Sequence, residues 1–374
     1  MRIAVLTESF PGEARVATTP DSVKALIKAG ASVLIEKGAG LSASVTDEAF
    51  EAAGAKCVTR AAAIKDGELF FSVRRPDATT LAKLPKGAVL VGLLDPHDDK
   101  EFAAACANAG VNALAMEYTP RITRAQAMDA LSSQSNLAGY RAVIEAASLY
   151  GRAFPMMMTA AGTVAAAKAF IMGAGVAGLQ AIATARRLGA IVSATDVRAA
   201  AKEQVGSLGA KFIAVEDEEF KAAETAGGYA KEMSDAYKTK QAELVAAHIA
   251  KQDIVITTAL IPGRPAPRLI TKAMVEAMKP GSVIIDIAAA SGGNCELTRA
   301  DEIVEHGSVK IAGYTNLPAR LAADASQLLA KNFVNLAPLL RNEAGVLSPQ
   351  WEDEIIKGMT LTRDGAIVHP TLGG

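Results

Sequence analysis

Three glycines and one carboxylate are the residues of this chain best placed to do chemistry together. Gly173, Gly175 and Gly178 form a Gly-x-Gly-x-x-Gly run, and Asp196 closes the apolar run that follows. Gly173 permits a tight turn out of a strand. Gly175 leaves no side chain where a pyrophosphate must approach the backbone, and Gly178 lets a helix pack close to a sheet. The N-terminus of that helix offers unpaired N–H groups and a positive dipole end to phosphates. Asp196 follows about 20 residues later, where a carboxylate can accept a hydrogen bond from a ribose 2′-hydroxyl.

Such a glycine run alone is weak, because glycine-rich turns between strands and helices are common. Here Lys168–Met172 reads as a buried strand, Val176–Leu188 as a packed helix and Ile191–Thr195 as a second strand. With those elements in place, the pattern predicts a dinucleotide site. A carboxylate at the ribose repels the 2′-phosphate of NADP(H), so NAD(H) is the expected cofactor. Arg198 is the complication, since an arginine just past this strand can accept that phosphate.

A second polar set precedes a long helical pattern: Arg121, Gln126, Asp129, Ser132 and Ser133. Gln126, Asp129 and Ser132 recur every three residues, so a helix would put them on one face. Together they supply the donor and acceptors that a carboxamide such as nicotinamide needs. A solvated helix end reads equally well from the same residues. No histidine or cysteine stands beside a paired carboxylate in a catalytic motif. A dehydrogenase acting on an alcohol or amine moves a proton with its hydride and normally needs a general base. Hydride exchange between two nicotinamide rings needs proximity, orientation and exclusion of water instead.

The elements that must position these residues are legible from composition and patterning. At 374 residues the chain is long enough for two domains. Half of it is hydrophobic, and 39 basic residues balance 40 acidic ones, which fits a soluble globular protein and argues against a nucleic-acid partner. Cys57, Cys106 and Cys295 are odd in number and scattered, as in a reducing compartment. The four histidines show no ligand spacing, so no metal site is expected. The first residues enter a strand at once, leaving no room for a signal peptide. Pro155, several glycines and Lys168 divide the weakly charged stretch 152–186, so no membrane span is expected.

Short apolar runs at Ile3–Leu6, Val33–Ile35, Leu69–Val73, Val89–Leu93 and Ala113–Met116 alternate with helical patterns, as in a parallel sheet with helices on both faces. A second such series comprises Ala169–Met172, Ile191–Thr195, Phe212–Val215, Ile254–Thr257, Val283–Asp286 and Val309–Ala312. Long helical patterns begin at Leu137 and at Leu321. The expected fold is α/β: two doubly wound parallel-sheet (Rossmann-like) domains joined by two long helices, with an interdomain cleft. Residues 1–136, completed by 321–374, form the first domain, and residues 137–320 form the dinucleotide-binding one. A charged insertion near 217–241 reads as an exposed helical pair, or as a mobile lid hinged at Gly227 and Gly228 with Tyr229 at its tip.

Longer motifs carry a family resemblance. The run from Arg124 through Gln126, Asp129 and Ser132 to Val143, and that from Phe154-Pro-Met-Met-Met to Thr163, are two of them. The others are the glycine run, Thr195-Asp-Val-Arg, Glu224-Thr-Ala-Gly-Gly-Tyr-Ala-Lys-Glu-Met and Thr257-Thr-Ala-Leu-Ile-Pro-Gly. All resemble the NAD(H)-binding alpha subunits of proton-translocating transhydrogenases, in the alanine dehydrogenase/transhydrogenase family, and the likeness spans nearly the whole chain. It implies that Arg121, Gln126, Asp129 and Ser132 contact the nicotinamide side. Val176 then matches the glycine-turn contact, and Asp196, Val197 and Arg198 the adenosine ribose segment. Gly228 and Tyr229 match a mobile loop, and Gln241 and Leu260 further nucleotide contacts.

Alanine dehydrogenases of the family resemble this chain around Arg15. They carry a lysine where Arg74 stands, a histidine near Leu93 and an aspartate near Ala290, which favours transhydrogenase over an alanine dehydrogenase-like amino-acid dehydrogenase. The resemblance further implies a homodimer, an NADP(H)-binding partner subunit and a membrane-embedded proton-conducting subunit. This chain would sit peripherally on the cytoplasmic face of the inner membrane and be soluble when isolated. Because it ends without membrane helices, it resembles the version divided among separate subunits.

Overall fold

The computed structural model describes residues 1–97, 99–221, 234–261 and 263–373. The chain forms two compact units, residues 1–134 with 318–374, and residues 135–317. Both are α/β and built on parallel sheets.

In the first unit the strands are β1 (Arg2–Val5), β2 (Ser32–Glu36), β3 (Lys56–Val58), β4 (Leu69–Arg74), β5 (Val89–Leu93) and β6 (Asn112–Ala115). They lie in the order β3-β2-β1-β4-β5-β6, all parallel. β5 is buried along its whole length, which is why its sequence is a continuous apolar run rather than an alternating one. The helix Pro20–Lys28 starts where an oxygen cap precedes proline. Thr19 and Ser22 bond each other's backbone N–H groups in a capping box. Helix Ala322–Leu336 returns to this unit and buries Leu329, Phe333 and Leu336 in its core, with Phe333 stacked on Phe71 at 4.6 Å between ring centroids. The tail adds a small hairpin at its end. Asp364 and Gly365 both take positive φ (50° and 81°), the backbone that a two-residue hairpin turn requires.

In the second unit a short exposed hairpin, β7 (Met157–Thr159) with β8 (Gly162–Val164), precedes the main sheet. That sheet comprises β9 (Lys168–Met172), β10 (Ile191–Thr195), β11 (Lys211–Phe212), β12 (Ile254–Thr257), β13 (Val283–Asp286), β14 (Ile303–His306) and β15 (Val309–Ala312). Its order is β11-β10-β9-β12-β13-β15-β14, parallel except for β14 at one edge. Alternate side chains of β9 feed different cores: Ile171 packs with Ile182 and Ala185 on one face, Phe170 and Met172 with Val255 and Ile284 on the other. The order reverses between β9 and β12, and the carboxyl ends of strands at such a switch point are where doubly wound sheets bind ligands.

Several elements depart from the sequence expectation. The strand read at Phe212–Val215 is only Lys211–Phe212. Strands β3 and β14 carry no clear sequence signal, because both are short and half exposed with few apolar residues. The long helix begins at Ala130 rather than Leu137, and the chain passes between the two units within it.

Candidate functional site

The carboxyl ends of β9, β10 and β12 carry the densest set of sequence-selected residues. Gly173 leaves β9 at φ 107°, and a Cβ there would meet the Thr258 hydroxyl at 2.4 Å. A Cβ on Gly178 would lie 1.9 Å from the Gly173 carbonyl oxygen. Gly175 differs, with open space around its α-carbon and an ordinary φ of −76°. The first and third glycines are therefore demanded by the fold, and the second is not. Gly175 is also the N-cap of helix Val176–Arg187, and no side chain caps that end. Its N–H groups are left to solvent or to an anion.

Asp196 follows β10 and is nearly buried, its side chain 7% exposed. One oxygen accepts from the Ala174 N–H at 2.7 Å and from Arg198 Nη2 at 3.0 Å. The other accepts from the Arg198 N–H and from Arg198 Nε, both at 2.9 Å. A carboxylate offers about four acceptor directions, and all are used. Burial alone would raise the Asp196 pKa, but the Arg198 hydrogen bonds and the Ala174 N–H hold it below the usual carboxylate range. The acid thus ties the glycine turn to Arg198, and a ribose hydroxyl would have to share or replace one of these bonds.

Gln241 straps the end of β10 to the chain beyond β11. Its amide donates to the Thr195 hydroxyl at 3.2 Å, and its carbonyl oxygen accepts from the Val215 N–H at 2.8 Å. Val176, Val197 and Leu260 follow β9, β10 and β12 respectively, and are 42%, 66% and 51% exposed. Three apolar side chains are thus left uncovered beyond the carboxyl ends of three adjacent strands. Gly227, Gly228 and Tyr229, the lid residues of the sequence reading, lie outside the described residues.

Two residues here escaped the sequence reading. Thr258 follows β12 directly and donates to the Gly173 carbonyl at 3.2 Å. Asn294 is fully buried and bonds to both backbone groups of Ala259. The pairing of Thr257 and Thr258 at a strand end was the available signal for the first. Nothing local announces the second.

In the first unit, Arg121 and Gln126 are exposed, and Asp129 and Ser132 are half-buried. The single helical face read from their three-residue spacing is absent. Residues Thr123–Met128 form a 3-10 turn, which Asp129 ends with ψ 91°, and Ser132 belongs to the next helix. The structure does bring Asp129 and Ser132 together. Asp129 accepts from the Ser132 N–H at 2.9 Å and from its hydroxyl at 2.6 Å, so the acid caps the helix beginning at Ala130.

At the carboxyl ends of the first sheet, buried Glu13 pairs with Arg15 at 2.6 Å and Arg74 at 3.4 Å. Leu93 is buried in β5, and Ala290 is exposed on the turn Ala289–Ser291. Glu117 accepts from the Leu94 and Asp95 N–H groups, and burial pushes its carboxyl up to about 7. Among the described residues no three His, Cys, Asp or Glu side chains are grouped to hold a metal, and no helix is long and apolar enough to cross a membrane.

Comparison with known proteins gives this arrangement a family. The model for the alanine dehydrogenase/PNT N-terminal domain matches residues 4–138, and that for the C-terminal domain matches residues 142–370. An NAD(P) transhydrogenase subunit alpha of Rhodospirillum rubrum is 55% identical over all of this chain and 99% of its own length. A crystal structure of transhydrogenase from Sinorhizobium meliloti superposes with a TM-score of 0.91 at 54% identity, covering 98% of this chain and 100% of that one. Alanine dehydrogenase of Bacillus subtilis is more distant, at 30% identity over 92% of this chain and 87% of its own length. The chain belongs to the alanine dehydrogenase/PNT family, and within it to the NAD(P) transhydrogenase alpha subunits.

Proposed function

We propose that this chain binds NAD(H) at the glycine turn and passes hydride directly between that nucleotide and NADP(H) held by a partner subunit. The dihydronicotinamide supplies the hydride. The chain's residues bind and orient it. Gly175 and the uncapped N–H groups of Val176–Arg187 fit a pyrophosphate, and Asp196 with Val197 and Arg198 receives the adenosine ribose. Gln241 and Leu260 complete the nucleotide contacts. Arg121, Gln126, Asp129 and Ser132 orient the carboxamide, and Gly228 and Tyr229 belong to a loop that closes over the nucleotide and excludes water. The working form is a homodimer, peripheral on the cytoplasmic face of the inner membrane, where a membrane-embedded subunit couples the transfer to proton translocation.

One observation carries this reading. A dinucleotide turn that admits no Cβ at Gly173 or Gly178 coexists with Leu93, Arg74 and Ala290 where alanine dehydrogenases carry histidine, lysine and aspartate. The nucleotide-binding half of a dehydrogenase is present without those proton- and substrate-handling side chains. Ring-to-ring hydride exchange needs none of them.

The test is a pair of titrations and one turnover assay on the purified chain. NADH should bind saturably and NADPH much more weakly. NADH oxidation by pyruvate with ammonium should be absent, and its appearance would favour an amino-acid dehydrogenase instead.

A further inference from the structure

We infer that Asn294 is a positioning residue for the nucleotide site, acting through the backbone of Ala259 to set Leu260 against the glycine turn. The inference rests on the NAD(H) reading above and adds a residue to it. Asn294 follows β13, 35 positions beyond Ala259, and none of its surface reaches solvent. Its side-chain oxygen accepts from the Ala259 N–H at 3.0 Å, and its amide donates back to the Ala259 carbonyl at 2.9 Å. The same amide donates to the Pro267 carbonyl at 2.8 Å. The carboxamide therefore treats Ala259 as a neighbouring strand would, satisfying its donor and its acceptor together. It also ties down the return of the chain at Pro267.

The two residues around Ala259 give this staple a purpose. Thr258 on one side donates to the carbonyl of Gly173, the first glycine of the turn. Leu260 on the other side is 51% exposed and has no core to hold it. An exposed leucine on a loop has several rotamers and backbone states available, and ordering it on binding costs affinity. With Ala259 fixed at both polar groups, that cost is met during folding. Asn294 is itself anchored, because the Cys295 N–H donates to Asp286 at 3.0 Å and the Thr298 hydroxyl donates to the same oxygen at 2.6 Å.

A double-mutant cycle with Asn294→Ala and Leu260→Ala tests this, read by the dissociation constant for NADH and by NADH KM and kcat with the NADP(H) partner present. Asn294→Ala should weaken NADH about tenfold, raise KM to match and leave kcat within about twofold. The double variant should bind no more weakly than Asn294→Ala alone, because the leucine's contribution depends on the staple. Effects that multiply, or a lowered melting temperature with unchanged NADH affinity, would overturn the inference. Should Asn294→Ala not fold, Asn294→Ser keeps one hydrogen bond to Ala259 and enters the same cycle with the same expectation at smaller size. If the parent chain itself does not bind NADH, the functional reading fails and not only the role of Asn294.

Discussion

Arg198 grips Asp196 from both sides, Nε on one carboxylate oxygen at 2.9 Å and Nη2 on the other at 3.0 Å. The arginine that sequence alone leaves available for a 2′-phosphate is therefore spent on the acid two residues before it. Bidentate pairs of this kind are the strong ones, and Asp196 is shielded enough to feel it. The pair makes cofactor choice a joint property of two residues. Asp196→Asn keeps an acceptor for the Ala174 N–H, removes the negative charge and releases Arg198. We expect NADH to weaken and NADPH to strengthen, moving their affinity ratio about a hundredfold toward NADPH. Fluorescence titration of both nucleotides measures this, and an unchanged ratio would refute it.

The three glycines should separate under substitution by alanine. Gly178→Ala drives a Cβ to 1.9 Å from a backbone oxygen, and Gly173→Ala drives one to 2.4 Å from Thr258 at a positive φ. Each should cost on the order of 2–3 kcal/mol of stability. Gly175→Ala meets nothing within 4 Å and should melt with the parent, yet lose NADH affinity by about tenfold or more because its methyl group stands where the pyrophosphate approaches. Thermal melts and NADH titrations on all three variants read both effects.

Stability should also carry a pH signature from the first unit. Burial pushes Glu117 from its ordinary 4.5 up to about 7, against the pull of the Asp95 and Leu94 N–H groups, and Glu8 is pushed up to about 7 in the same way. A carboxyl raised in the folded state contributes stability that is full below pH 4.5 and lost as pH rises through about 7. Glu117→Gln does not titrate. It should gain on the parent by roughly 3 kcal/mol between about pH 4 and pH 8, as followed by denaturant melts across that range. A difference that stays flat, or shrinks with rising pH, would count against the shift.

The core of the first unit offers a packing test independent of function. Phe333 is 1% exposed and stacked on Phe71. Phe333→Ala should destabilise the chain by about 3–5 kcal/mol, which calorimetry of the purified variant would register.

Much of the fold was legible because its central strands are buried on both faces. Phe170 and Ile171 belong to opposite cores, so β9 reads as one apolar run with a glycine at its end. Edge strands give no such signal, and Ile303 in β14 is among the exposed large apolar side chains. The site was legible where chemistry depends on residue type at a fixed spacing, as with Gly173, Gly178 and Asp196. Spacing misleads where the backbone changes helix type. Gln126, Asp129 and Ser132 keep the spacing of one helical face, but Asp129 ends a 3-10 turn and caps the next helix. Asn294 was invisible because its partners Ala259 and Pro267 are distant in sequence, and a long-range polar staple leaves no periodic trace.

Transfer of a labelled hydride tests the central claim most directly. The chain is mixed with NADH deuterated at the transferring position of C4, an NADP+ analogue and the NADP(H)-binding partner. We expect the deuterium in the reduced analogue, and no transfer when the partner is left out. Transfer without the partner, none with it, or loss of the label to water would contradict direct exchange between two rings held on two chains.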